Sequence, residues 1–146
     1  PLDFGLVGFS FPAGLGIKLA APERPVVSCH GDGGMGMVLA DLSTAVDNNI
    51  NTTTIVFNNG SWGAEKSYQK DFLSERYIGA DVSSPQFDKV AELYGCKGYK
   101  VEKVSEIKDA VDDSLNCGKP AVIDVAVDPN ALYSFRRDSF EHKIKN

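Results

Sequence analysis

A chain of 146 residues, 42% apolar and 24% charged, is long enough to bury one ordinary globular core. Its formal charge of −5, with Lys and Arg never densely clustered, argues against nucleic acid as a partner. No apolar run approaches the roughly 20 residues that a membrane-spanning helix needs, and three unpaired-looking cysteines (Cys29, Cys96, Cys117) point to free thiols in a reduced, cytoplasmic setting.

The chain opens at Pro1, and Gly5, Gly8, Gly14 and Gly16 follow at once. So much glycine at a start suits the inside of a folded unit. We therefore expect residues 1–146 to be a single domain taken from a longer polypeptide. Residues 25–30 are a short β-branched run that stops at a glycine cluster, as a buried parallel strand does. Residues 35–47 then place Met35, Met37, Leu39, Leu42, Ala45 and Val46 on one broad helical face. A second strand pattern covers residues 52–57 and ends at Asn58-Asn59-Gly60. Residues 60–84 have no clean periodicity, and connections of that length are usually functional.

Residues 85–94 read as a helix in which Phe87, Val90, Ala91 and Tyr94 share a face, with Gly95 as its stop. Residues 99–102 form a weaker third strand, 105–116 another helix, and 121–127 the last strand. The predicted fold class is α/β: a doubly wound parallel sheet with helices on both faces.

Ligands of such sheets bind beyond the carboxyl ends of the strands. Two polar clusters fall there, Gly31-Asp32-Gly33-Gly34 and Asn58-Asn59, with one helix and one strand between them. The first cluster, read through Gly36, satisfies the dinucleotide pattern G-x-G-x-x-G, which is weak alone. A dinucleotide site wants an acid after the second strand to hold ribose hydroxyls, and this chain has two amides there. Asp32 would also face a diphosphate with its charge uncompensated. A divalent cation removes that conflict. Mg²⁺ takes six oxygens at roughly 2.0–2.1 Å, commonly a carboxylate or two plus phosphates. Asp32, the Asn59 side chain and a nearby main-chain carbonyl supply suitable oxygens, while the amides of Gly33 and Gly34 suit phosphate oxygens. The competing reading is a tight turn and a strand cap without a ligand.

Gly31-Asp32-Gly33, followed by Asn58-Asn59, resembles the GDG…NN signature of thiamine-diphosphate enzymes. Gly5-Leu6-Val7-Gly8-Phe9-Ser10-Phe11-Pro12-Ala13-Gly14-Leu15-Gly16 is similar to the G-x-M-G-x-x-L-P-A-A-I-G segment of their acetolactate-synthase-like members. The resemblance implies thiamine diphosphate and Mg²⁺ as cofactors. Asp32 and Asn59 would be side-chain metal ligands and Ser61 would offer its main-chain carbonyl. Gly31, Gly33 and Gly34 would border the diphosphate. The Gly5 carbonyl would accept a hydrogen bond from the 4′-amino group. Val7 would fill the apolar position that keeps the cofactor bent, often Met or Ile in the family.

A narrower resemblance follows the Asn pair. Ser61-Trp62-Gly63-Ala64-Glu65-Lys66, with Phe135-Arg136-Arg137-Asp138, is similar to the sulfoacetaldehyde acetyltransferases. That implies cleavage of sulfoacetaldehyde with phosphate, giving acetyl phosphate and sulfite. Acetolactate synthase and sulfopyruvate or other 2-oxo acid decarboxylases are the alternatives within the family, and a non-catalytic nucleotide-binding module is the alternative outside it. Arg136 and Arg137 would either grip the phosphate or sulfonate or form surface pairs with Asp138 or Glu141. Trp62, Glu65 and Lys66 would line the active-site mouth or pack the long connection.

The family's catalytic glutamate, beside N1′ of the pyrimidine, has no match here. Glu23 and Glu65 stand in the wrong contexts, His30 reads as a strand end, and His142 sits in a polar tail. The resemblance therefore places that glutamate in a pyrimidine-binding domain, normally of a partner subunit, in a homodimer or homotetramer. This chain alone is expected to turn nothing over.

Overall fold

A computed structural model of the protein describes residues 5–133. Four strands, β1 (Val27–Gly31), β2 (Thr53–Asn58), β3 (Lys97–Val101) and β4 (Ala121–Ala126), make one sheet in the order β1-β2-β4-β3, with every pair parallel. Six helices connect or flank them: α1 (Ser10–Ala20), α2 (Asp32–Gly36), α3 (Asp41–Asp47), α4 (Gly63–Phe72), α5 (Phe87–Tyr94) and α6 (Val104–Asn116). The doubly wound α/β expectation is met.

The pleat divides the apolar residues of each strand between two layers. Val56 and Val122 face a core built with Phe11 and Leu15 of α1, Met35 of α2, Leu42 and Ala45 of α3, and Phe87 and Ala91 of α5. On the opposite face Val101, Ile123 and Val125 pack against Ile107, Ala110 and Val111 of α6. Gly31 lies level with Phe57, and Asn58 with Ala126, so the chain leaves β1 and β2 on the same rim.

Four details differ from the sequence reading. Residues 10–20 form a helix, because Pro12 falls in its first turn, where a missing N–H costs nothing. That helix lies close on β1: a Cβ at Gly14 would stand 2.2 Å from Ser28 Oγ. The expected helix over 35–47 is broken into α2 and α3 by a turn over residues 37–40. The break turns Met37 out of the shared face, leaving it 63% exposed. Part of the aperiodic connection is helical, as α4, and the third strand begins earlier than expected, at Lys97. Among the described residues no helix is long and apolar enough to cross a membrane. Cys29, Cys96 and Cys117 are free thiols.

Candidate functional site

The loops leaving β1 and β2 meet the segment before α1 in a cleft of about 350 Å³. Its floor is Gly31–Gly34, one wall is Leu6–Ser10, and the other wall is Ser61–Glu65.

Asp32 opens α2 directly from β1 and is 1% exposed. The N–H groups of Gly33 and Gly34 lie in the first turn of α2 and so have no acceptor inside the helix. Trp62 covers this glycine turn. A Cβ built on Gly33 would stand 2.6 Å from the indole ring, so glycine is what permits the contact. Gly34 approaches Gly8 and Val7 across the floor, with its notional Cβ 3.7 Å from the Gly8 nitrogen. Val7 is half-exposed on the cleft wall, and Gly5 precedes it with a left-handed φ of 55°.

The two asparagines diverge. Asn58 Nδ2 donates to the Pro85 carbonyl at 3.3 Å and approaches Asp124 Oδ2 at 3.5 Å, away from the cleft. Asn59 Oδ1 accepts from the Ser61 main-chain N–H at 3.1 Å and from the Ser61 hydroxyl at 3.0 Å. Ser61 sits opposite Asp81 in an antiparallel bridge flanked by Trp62 N–H donating to Ala80 O and Val82 N–H donating to Gly60 O. That places Ser61 and Asp81 as a non-hydrogen-bonded pair, so the Ser61 carbonyl points away from Asp81.

Ser84 reaches Asp32, a contact that sequence reasoning missed. Its hydroxyl donates to Asp32 Oδ2 at 2.5 Å, across 52 positions of chain. It lies inside the aperiodic stretch, where nothing in the sequence marks it. Cys29 also lines the cleft.

His30 stands within β1, one residue before its end, with Nε2 buried and unpartnered. Burial holds its imidazole below the usual range, so it is neutral at pH 7. Of the residues of uncertain role, Trp62 and Glu65 line the cleft. Lys66 instead packs the connection, pairing with Asp81 at 2.6 Å and lying over the Tyr77 ring. Arg136 and Arg137 lie outside the described residues.

These donors suit a hard divalent cation. A buried carboxylate, a carboxamide oxygen and a ladder-free carbonyl come from the ends of two neighbouring strands. Asn59 Oδ1 regains a lone pair as soon as the rotatable Ser61 hydroxyl turns away. The glycine turn beside them offers main-chain N–H groups to a phosphate without Cβ obstruction.

Comparison with known proteins gives a consistent picture. The family described as thiamine pyrophosphate enzyme, C-terminal TPP binding domain, matches residues 2–125. The sulfoacetaldehyde acetyltransferase of Alcaligenes xylosoxydans xylosoxydans is 34% identical over 149 aligned residues, covering 99% of this chain and 25% of that protein. A probable acetolactate synthase large subunit of Methanococcus aeolicus is 34% identical over 131, covering 89% and 22%. Among solved structures, the thiamine diphosphate-dependent 4-hydroxybenzoylformate decarboxylase of Rhodococcus jostii RHA1 superposes with a TM-score of 0.77 at 31% identity, over 84% of this chain and 23% of that one. The benzoylformate decarboxylase of Polynucleobacter necessarius gives 0.79 at 26%, over 88% and 25%. The chain thus spans about a quarter of the length of the curated relatives it matches.

Proposed function

The chain belongs to the thiamine pyrophosphate enzyme family as a C-terminal TPP-binding domain, and we propose that its cleft holds thiamine diphosphate through Mg²⁺. The observation that carries this reading is the meeting of Asp32, Gly33, Gly34, Ser61 and Val7 around one cleft. Asp32, Asn59 and the Ser61 carbonyl hold the metal, and the metal offsets the charge between Asp32 and the diphosphate. Gly33 and Gly34 receive phosphate oxygens on their N–H groups. The Gly5 carbonyl would accept a hydrogen bond from the 4′-amino group, and Val7, on the cleft wall, would pack against the cofactor. Bound there, thiamine diphosphate would supply a nucleophilic thiazolium carbon in a ring that can accept an electron pair. Trp62 shields the diphosphate end from water. Neutral His30 adds no charge beneath it.

The reaction we propose is cleavage of sulfoacetaldehyde with phosphate, giving acetyl phosphate and sulfite, in an enzyme of a reducing cytoplasm. Support comes from the relative aligned over 99% of this chain and from Trp62 and Glu65 at the cleft, within the Ser61–Lys66 motif. Arg136 and Arg137 are proposed to bind the phosphate or sulfonate. The residue that activates the cofactor is proposed to come from a pyrimidine-binding domain of a partner subunit in a homodimer or homotetramer. Leu6, Val7 and Phe9, exposed beside the cleft, suit such a contact. Acetolactate synthesis is the second reading, favoured by the 34% identity to the Methanococcus aeolicus relative.

The full-length protein, given sulfoacetaldehyde and phosphate, is expected to release sulfite and acetyl phosphate. Turnover of pyruvate alone, without sulfite from sulfoacetaldehyde, would overturn the first reading in favour of the second.

A further inference from the structure

We propose that Ser84 is a positioning residue for the metal site, holding the Asp32 carboxylate so that a single oxygen is presented to the cation. The inference rests on the reading that Asp32 binds Mg²⁺. Asp32 is buried, and its Oδ2 accepts the Ser84 hydroxyl proton at 2.5 Å. A hydroxyl has one proton to give, and here it goes to one carboxylate oxygen. That bond fixes the rotation of the carboxylate plane. Oδ1 is then the oxygen left for coordination. Mg²⁺ demands near-ideal octahedral angles, which a carboxylate chelating through both oxygens fits poorly. A tethered Oδ2 works against that mode.

The fold explains how a residue so far along the chain arrives there. Residues 60–84 leave the sheet and return through a closed neck. Val82 N–H donates to Gly60 O at 2.9 Å, Trp62 N–H donates to Ala80 O at 2.8 Å, and Ser84 N–H donates to Val82 O at 2.9 Å. The Lys66–Asp81 ion pair ties α4 to the returning strand. The neck that directs the Ser61 carbonyl therefore also delivers Ser84 to Asp32. One closure sets the geometry of donors from both strand ends.

The test uses the full-length protein at saturating thiamine diphosphate, titrated with Mg²⁺ and followed by tryptophan fluorescence and near-ultraviolet circular dichroism. Outer partners of metal ligands typically contribute about 10–100-fold in metal affinity. Ser84→Ala is expected to raise the Mg²⁺ concentration at half-saturation by about that factor, with an unchanged melting temperature in EDTA. Ser84→Thr, which keeps the hydroxyl, is expected to titrate like the wild type. A Ser84→Ala protein with wild-type Mg²⁺ dependence, beside an Asp32→Ala protein blind to Mg²⁺, overturns the role of Ser84 and leaves the metal site intact. A Thr variant as weak as Ala assigns the loss to shape and also overturns it. If Asp32→Ala titrates as wild type, the metal reading itself fails. Should Ser84→Ala not fold, Ser84→Cys, a far weaker donor of similar size, is judged by the same outcomes.

Discussion

At the scale of single residues, the site depends on what is absent as much as on what is present. Gly33 carries no Cβ, and the space a Cβ would need is taken by the Trp62 ring at 2.6 Å. Gly33→Ala must displace the indole, and overpacking of this kind costs roughly 1–3 kcal/mol. Adding Trp62→Ala should recover most of that loss, because the obstructing ring is gone. Denaturant melts of the two single variants and the double variant check this, and strict additivity would refute the contact. Asp124 sets a second expectation. Burial, first of all, holds its carboxyl above the usual range, with nearby Asp88 adding to the effect and Asn58 and the Phe87 N–H opposing it. The folded protein therefore binds that proton more tightly than the unfolded chain does. Its contribution to stability is present in acid and is lost as pH rises from 3.8 through the higher folded value. Relative to wild type, Asp124→Asn should gain melting temperature as pH rises above about 4. Parallel pH curves would contradict the assignment.

At the scale of elements, periodicity revealed the parts built on burial and missed those built on local backbone needs. The four strands were legible as short β-branched or apolar runs, weakest for β3, and helices α5 and α6 as amphipathic stretches between turn signals. α1 was not, since its sequence SFPAGLGIKLA holds a proline and two glycines whose tolerance depends on the first turn and on close approach to β1. α4, GAEKSYQKDF, is largely polar and opens with glycine, so it gives little apolar signal. The α2–α3 break escaped notice because the apolar spacing runs through it, although Met37 faces out. Close packing also governs α5 against β3. A Cβ at Gly98 would stand 2.2 Å from the Asp88 carbonyl oxygen, a main-chain atom that cannot rotate aside. Gly98→Ala should then lift α5 from the sheet at about 3 kcal/mol, near the upper end of ordinary overpacking. A chemical-denaturation midpoint close to wild type would refute it.

At the scale of the whole molecule, the parallel register brings two distant polar clusters to one rim, and that placement was readable from spacing alone. Asp32, Gly33, Gly34 and Ser61 meet there as expected. The fate of the two amides was not readable: Asn58 turns toward Pro85 and Asp124, and Asn59 is folded onto Ser61. Nor was Ser84, whose place depends on a closed excursion rather than on a local pattern. The most direct measurement is calorimetric titration of thiamine diphosphate into the full-length protein, in Mg²⁺ and in EDTA, for wild type and Asp32→Ala. Tight binding by wild type in Mg²⁺ only, lost in Asp32→Ala, is the predicted result. Binding that survives both EDTA and the substitution would contradict a metal-bridged diphosphate site at this rim.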